Sequence, residues 1–323
     1  MKQRLLYLDN LKGFLIILVI LGHCIEYGTE SFDENTLFKI IYSFHMPLFF
    51  MISGYLSYKE PLNWISSVKR RGYQLLVPYV LWGVGICLWH KYPLLDMIVD
   101  PGKILWFIWC LFYICLITYT IEVFFRNSRY FLLVLILTMM LLMGASFMIK
   151  DNLFGYKNIA YEFQYFIAGY LLKRYHLDDT VLNKKYIKLA APVFVILLLF
   201  WHRNDIEIIG YQFNRVLSFA YIMLTAYMGC YVITMLFKEF GERKSFLTSF
   251  GTSSLGIYLV QLDIVRFGVR QCDNLFVVFI LSTIVSLLFV KLVRASNYLR
   301  PIIGERIKIN KSKAIEKNDE NYK

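Results

Sequence analysis

Residues 11–24 read LKGFLIILVILGHC, an apolar helix with Lys12 near its start and His23 near its end. Ionisable side chains are costly inside hydrocarbon, so a histidine in such a segment is read first as chemistry, and a partner is sought. At about 100° per residue, Asp9, Lys12, His23 and Glu26 share one quadrant of a helix face. Neutral imidazole takes protons near neutral pH, which suits His23 to act as a general base toward a hydroxyl. Lys12 lies eleven residues earlier, about 16 Å along the axis and nearly eclipsed in rotation, so this face offers a cation at one end and a base at the other. A second imidazole, His45, sits in FHMPLFFMISGY (44–55), about 12 Å into the next apolar stretch. Adjacent antiparallel helices would bring His23 and His45 to a similar depth. Pro47 loosens the second helix locally, and Ser53–Gly54 allows close packing.

Each of these residues also has a quieter reading, which sequence alone leaves open. His23 fits a buried hydrogen-bonding residue, and His45 fits an aromatic packing segment in which it caps a freed carbonyl. Asp9 fits a helix cap, and Lys12 an anchor that snorkels to the interface. Cys24 suggests a thiol nucleophile, but helix neighbours point about 100° apart and do not converge. No HExxH, CxxC or paired histidine spacing supports a metal site, and Walker and GxGxxG fingerprints are absent.

The elements that must hold these groups follow from composition. The 323 residues are 58% hydrophobic and 18% aromatic, with mean hydropathy +0.52, too apolar for a soluble domain of this length. Ten stretches reach or approach membrane-spanning length: 11–26, 37–57, 73–90, 104–125, 129–149, 158–173, 187–202, 213–237, 249–266 and 275–293. They are continuous rather than alternating, so the expected fold is an all-α polytopic membrane protein of about ten transmembrane helices. Glu162 and Gln164 weaken the sixth stretch, and Asp263 the ninth.

Basic residues cluster in alternate loops: Lys59/Lys69/Arg70/Arg71, Arg126/Arg129, Lys173/Arg174/Lys184/Lys185/Lys188, Lys238/Arg243/Lys244, and the tail beyond Lys291. The intervening loops carry only pairs such as Lys91/Lys103 and Arg203/Arg215. By the positive-inside rule both termini are expected in the cytoplasm, and the net charge of +12 reflects this bias and anionic lipid rather than nucleic-acid binding. Lys2 and Arg4 before an apolar run resemble a signal peptide, but no small-x-small site follows, so the first span is read as retained. The six cysteines are scattered without a disulfide framework. The expected organisation is an integral-membrane domain over 1–297 and a basic, disordered cytoplasmic tail over 298–323.

YLDNLKGFLIILVILGHC (7–24) and FHMPLFFMISGY are followed in order by LLVPYVLW (75–82), ILWFIWCLF (104–112), FQYFIAGYLL (163–172) and SSLGIYLVQ (253–261). In this series the chain resembles the acyltransferase-3 family of membrane O-acyltransferases, in particular its fucose 4-O-acetylase-like branch. The resemblance implies transfer of an acyl group, usually acetyl from acetyl-CoA, to a hydroxyl of a cell-surface or lipid-linked glycan at a bacterial cell membrane. It implies no metal, and its partners are an acyl-CoA donor, a glycan acceptor, the bilayer and glycan-assembly proteins. It makes His23 the catalytic base, Asp9 an orienting group and His45 an assistant. Donor phosphates fall to Arg70 and Arg71 and the pantetheine path to the Lys12 face, while Glu26 and Trp106 join the substrate-binding set, Trp106 (or Trp109) as a sugar platform. Three positions depart from the family pattern: Lys12 replaces an arginine, Gln74 the second arginine of a basic pair, and Gln261 a histidine in the late span. The rival readings are a glycan transporter or flippase, for which no inverted repeat is visible, and an inactive partner of a glycan synthase.

Overall fold

The computed structural model describes residues 5–203, 206–208 and 211–307. Its ten longest helices are α1 (Leu6–Gly28), α2 (Thr36–Ser57), α3 (Trp64–His90), α4 (Trp106–Phe125), α5 (Phe131–Met148), α6 (Tyr156–Arg174), α7 (Ile187–Leu199), α8 (Arg215–Phe240), α9 (Phe246–Gln271) and α10 (Leu275–Ala295). Each coincides with one of the apolar stretches read from sequence. Seven of them, α1–α5, α8 and α10, are long and apolar enough to cross a membrane. The chain is an all-α polytopic membrane protein, with one small exception: Glu207–Ile208 pairs antiparallel with Tyr211–Gln212 between α7 and α8.

Helix starts are written locally. Asn35, Asn63, Asn214 and Asn274 accept backbone N–H groups of the first turns of α2, α3, α8 and α10, and Ser245 with Thr248 forms a capping box on α9. The helices divide by burial. Windows of α1, α2 and α4 are 67%, 61% and 61% buried, whereas that of α5 is 17% buried, its Leu133, Ile136, Leu137 and Met140 facing outward as a lipid-exposed helix requires.

Two glycine crossings fix the centre. A Cβ on Gly13 would strike the Leu247 carbonyl, and one on Gly251 the Asp9 carbonyl. Only glycine lets α1 and α9 touch backbone to backbone there. Asn10 locks the same end, donating to Arg243 O at 2.8 Å and accepting from Ser245 Oγ at 2.9 Å and Thr248 Oγ1 at 2.6 Å. The two helices therefore run parallel and in register, so that position 23 meets position 261. Gly54 and Gly169 make the corresponding crossing of α2 and α6.

The beginning of the expected tail is folded. Arg300–Ile303 forms a 3₁₀ turn with Ile303 buried, Trp82 Nε1 donates to Ile302 O at 2.9 Å, and Arg294 Nε donates to Glu305 at 2.7 Å. An apolar side chain and an ion pair hold this segment to the bundle where lysine content had suggested disorder. The rest of the expected tail, 308–323, and residues 1–4 lie outside the described residues.

Candidate active site

Of the α1 face read from sequence, Lys12 lines a cavity, while Asp9, His23 and Glu26 border neither this one nor the larger one beyond it. Lys12, Ile16 and Val19 form one row of that helix, and with Arg71 and Gln74 of α3 and Ser53 of α2 they border a narrow space of about 150 Å³. Lys12 Nζ pairs with Asp9 Oδ1 at 2.8 Å. Arg71 donates to Ser57 Oγ at 2.5 Å, Gln74 Oε1 at 3.1 Å and the Tyr119 hydroxyl at 3.4 Å. All three partners are neutral, so the guanidinium is held in place while its charge stays available to an anion. Gln74, the departure from the basic pair, is thus an orienting acceptor for Arg71.

A larger cavity of about 480 Å³ lies beyond it, bordered by His45, Trp106, Lys157, Glu162, Arg203 and Arg215 among others. Met46 borders both spaces. The two cavities therefore abut at one side chain, beside His45, and the α1 row from Lys12 to Val19 borders the smaller one alone.

Both imidazoles are tied at one nitrogen. His23 Nδ1 lies 3.0 Å from Gln261 Oε1, and since an amide oxygen only accepts, Nδ1 carries the hydrogen and Nε2 holds the lone pair. His45 Nδ1 lies 2.8 Å from the Ile41 carbonyl, which gives the same tautomer. That carbonyl is not the one Pro47 frees, which is four residues before it at Ser43. His45 borders the larger cavity directly, whereas His23, four residues beyond Val19 on α1, borders neither cavity. The Tyr42 ring packs edge-on against His45 with centroids 4.8 Å apart, and its hydroxyl donates to Glu26 Oε2 at 2.6 Å. Arg203 reaches Glu26 Oε1 at 3.4 Å and lies over the Tyr42 ring at 5.4 Å.

Several expected roles change. Asp9 does not orient His23: fourteen residues of one helix, about 21 Å, separate them, and its carboxylate holds Lys12 instead. Arg70 borders neither cavity, and of the expected phosphate-binding pair only Arg71 does. Glu26 supports Tyr42 and Arg203 rather than facing open space. Trp106 borders the larger cavity, while Trp109 is buried and donates to Phe154 O at 2.9 Å. Sequence reading missed Lys157, Glu162, Arg203 and Arg215 as lining groups. The signals were present: Glu162 is an acid in an apolar helix, and the arginines are the minority cations of a loop poor in them. Among the described residues, no group of three or more His, Cys, Asp or Glu side chains is placed to hold a metal ion.

These features define a helical membrane protein in which a cation-bearing cavity adjoins a histidine-bearing one through the bundle. The chain belongs to the acyltransferase-3 family, whose acyltransferase domain matches residues 5–293. It is similar to the nodulation protein NolL of Mesorhizobium japonicum, 39% identical over 127 residues covering 34% of each chain. It is also similar to NolL of Sinorhizobium fredii, 45% identical over 80 residues covering 23% of this chain and 22% of that protein. The chain thus aligns with about a third or less of the length of these relatives. No solved structure matches it.

Proposed function

We propose that the protein transfers an acyl group, acetyl from acetyl-CoA, to a hydroxyl of a cell-surface or lipid-linked glycan, as in the fucose 4-O-acetylase-like branch of its family. The observation that carries this reading is the pair of cavities meeting at Met46, one bearing Lys12 and Arg71, the other His45 and Trp106. The narrow cavity suits a pantetheine arm, with Arg71 and Lys12 drawing the donor's phosphates to its mouth. The wider one suits a sugar, with Trp106 as its apolar wall.

In the reaction, His23 Nε2 removes the proton of the acceptor hydroxyl as its oxygen attacks the thioester carbonyl. The tetrahedral intermediate collapses with cleavage of the carbon–sulfur bond, and the CoA thiolate leaves and takes up the proton. Gln261 keeps the His23 lone pair on Nε2, and His45 assists from the acceptor side. The arrangement of α1 and α9 supports ten crossings of a bacterial cell membrane: these helices are parallel, so the seven between them cross an odd number of times. With the basic loops inside, both termini are cytoplasmic, the Lys12 cavity opens inward and the His45 cavity lies toward the outside. Residues 1–297 then form the catalytic membrane domain, and the basic tail follows over 298–323.

Membranes containing the protein or its His23→Ala variant, supplied with radiolabelled acetyl-CoA and extracted glycan, test this reading. Label should reach the glycan only with the parent protein, and transfer undiminished by His23→Ala overturns the base assignment.

A further inference from the structure

Resting on that reading, the larger cavity says more about the acceptor. Lys157, Arg203 and Arg215 border it, in a part of the chain that the positive-inside rule would leave poor in cations, so membrane orientation does not explain them. Arg203 is partly neutralised by Glu26. The other two are not. Arg215 donates to the backbone carbonyls of Phe147 at 3.1 Å and Ser146 at 3.4 Å and lies over the Phe147 ring at 5.2 Å. Lys157 Nζ donates to Lys150 O at 2.5 Å. Among the described residues, neither cation has a carboxylate partner within ion-pair distance. The same cavity holds the opposite case. Glu162 is 4% exposed, and its Oε2 has no hydrogen-bond partner.

A carboxyl buried without a donor is costly unless a ligand completes it, while the exposed Arg215 and the half-buried Lys157, held only by neutral carbonyls, leave two positive charges at the edge of the same cavity open to an anion. Neutral sugars hydrogen-bond but do not offset charge. We propose that the acceptor carries an anionic group, a carboxylate or a phosphate, that Arg215 and Lys157 bind, while a hydroxyl of the same acceptor donates to Glu162. A ligand held at both ends would present one particular hydroxyl to the histidines. The anion has two chemical sources, an acidic sugar of the glycan or the phosphate joining it to a lipid carrier, and the probes below separate them.

Trp106 and Trp201 both border the cavity, so binding is read as a change in tryptophan fluorescence of purified protein, independently of catalysis. The probes are a glucuronate-containing disaccharide, its carboxyl-reduced neutral counterpart, and glucose 1-phosphate. At least one anionic probe should bind about tenfold or more tightly than the neutral one, and the double variant Arg215→Gln/Lys157→Gln should abolish that preference while retaining thermal stability. Preference for the glucuronate assigns the charge to the glycan, and preference for glucose 1-phosphate assigns it to the carrier linkage. Equal binding of all three, no binding of any, or a preference that survives the double substitution overturns the proposal. Failure of acetyl transfer with preserved anion preference would instead count against the acyltransferase reading alone.

Discussion

His23 and Gln261 face each other at 3.0 Å across two parallel helices whose register is set some ten residues away, at Gly13 and Gly251. This contact gives the residue that departs from the family pattern a partner in His23. A glutamine oxygen in place of an imidazole can only accept a proton, which fixes the His23 tautomer with its lone pair on Nε2.

Gln261→Leu should therefore reduce kcat for acetyl transfer about tenfold, equivalent to ~1.4 kcal/mol in the barrier, with KM for acetyl-CoA changed less than about twofold. Gln261→His, which restores an acceptor nitrogen, should stay within about threefold of the parent. Steady-state kinetics in membranes separate the two, and a Gln261→Leu protein as fast as the parent would remove the residue from the mechanism.

The Lys12–Asp9 pair makes a different demand. Lys12 borders the narrow cavity and is held at 2.8 Å by Asp9, a placement that the proposed reading uses for donor capture rather than proton transfer. Lys12→Met should raise KM for acetyl-CoA about tenfold with little change in kcat, while Lys12→Arg, which keeps the charge, should preserve both. A fall in kcat alone for Lys12→Met would contradict this placement.

The α1–α9 crossing predicts a packing effect. Gly251→Leu would drive a branched side chain into the Asp9 carbonyl and part the helices that align His23 with Gln261. Overpacking of this kind costs about 1–3 kcal/mol. The detergent-solubilised variant should melt earlier than the parent, whereas Gly144→Leu on α5, where an added Cβ meets nothing within 4 Å, should not.

Acid should weaken the connection between α2 and α3. Tyr58 donates to Glu60 at 3.0 Å and Arg126 pairs with the same carboxylate, which holds it below the usual glutamate range, the Tyr58 hydrogen bond first among the causes. A carboxylate lowered on folding stabilises the fold above its unfolded value, and that contribution is lost as pH falls through the lower folded value. Thermal stability of the parent should therefore drop, slightly because the group is exposed, over the acid side of pH 4.5, and a Glu60→Gln variant should lack this component of the profile.

Part of the candidate site was legible as a row of residues on α1. The 3.6-residue period placed Lys12 and His23 on one face, and of these two Lys12 borders a cavity, with Ile16 and Val19, while His23 borders neither of the two. The ten apolar runs likewise match ten helices because continuous hydrophobicity is a local signal. What the period does not carry is the identity of the facing helix. Gln261 reaches His23 from 238 residues away, through a glycine contact that hydropathy does not register. Asp9 shows the converse error: sharing a quadrant with His23 said nothing of the 21 Å between them along the axis. Glu162 was discounted for weakening a span, although the reasoning that marked His23 applied to it equally.

Met46 carries the last prediction, because it alone among the residues discussed borders both cavities. If donor and acceptor meet there, the acyl group must pass its side chain, a flexible thioether that can yield. Met46→Trp should fill the passage and suppress acetyl transfer about a hundredfold while acetyl-CoA still binds, since Lys12 and Arg71 lie on the donor side of the block. Met46→Ala should widen the passage, so that the ratio of butyryl to acetyl transfer rises several-fold, whereas a separate route would leave that ratio unchanged. Transfer rates with the two donors, alongside equilibrium binding of acetyl-CoA, distinguish these results from a general loss of folding, because a misfolded variant would lose binding as well as turnover. A Met46→Trp protein that transfers acetyl at the parent rate would show that the two cavities are not joined at this side chain.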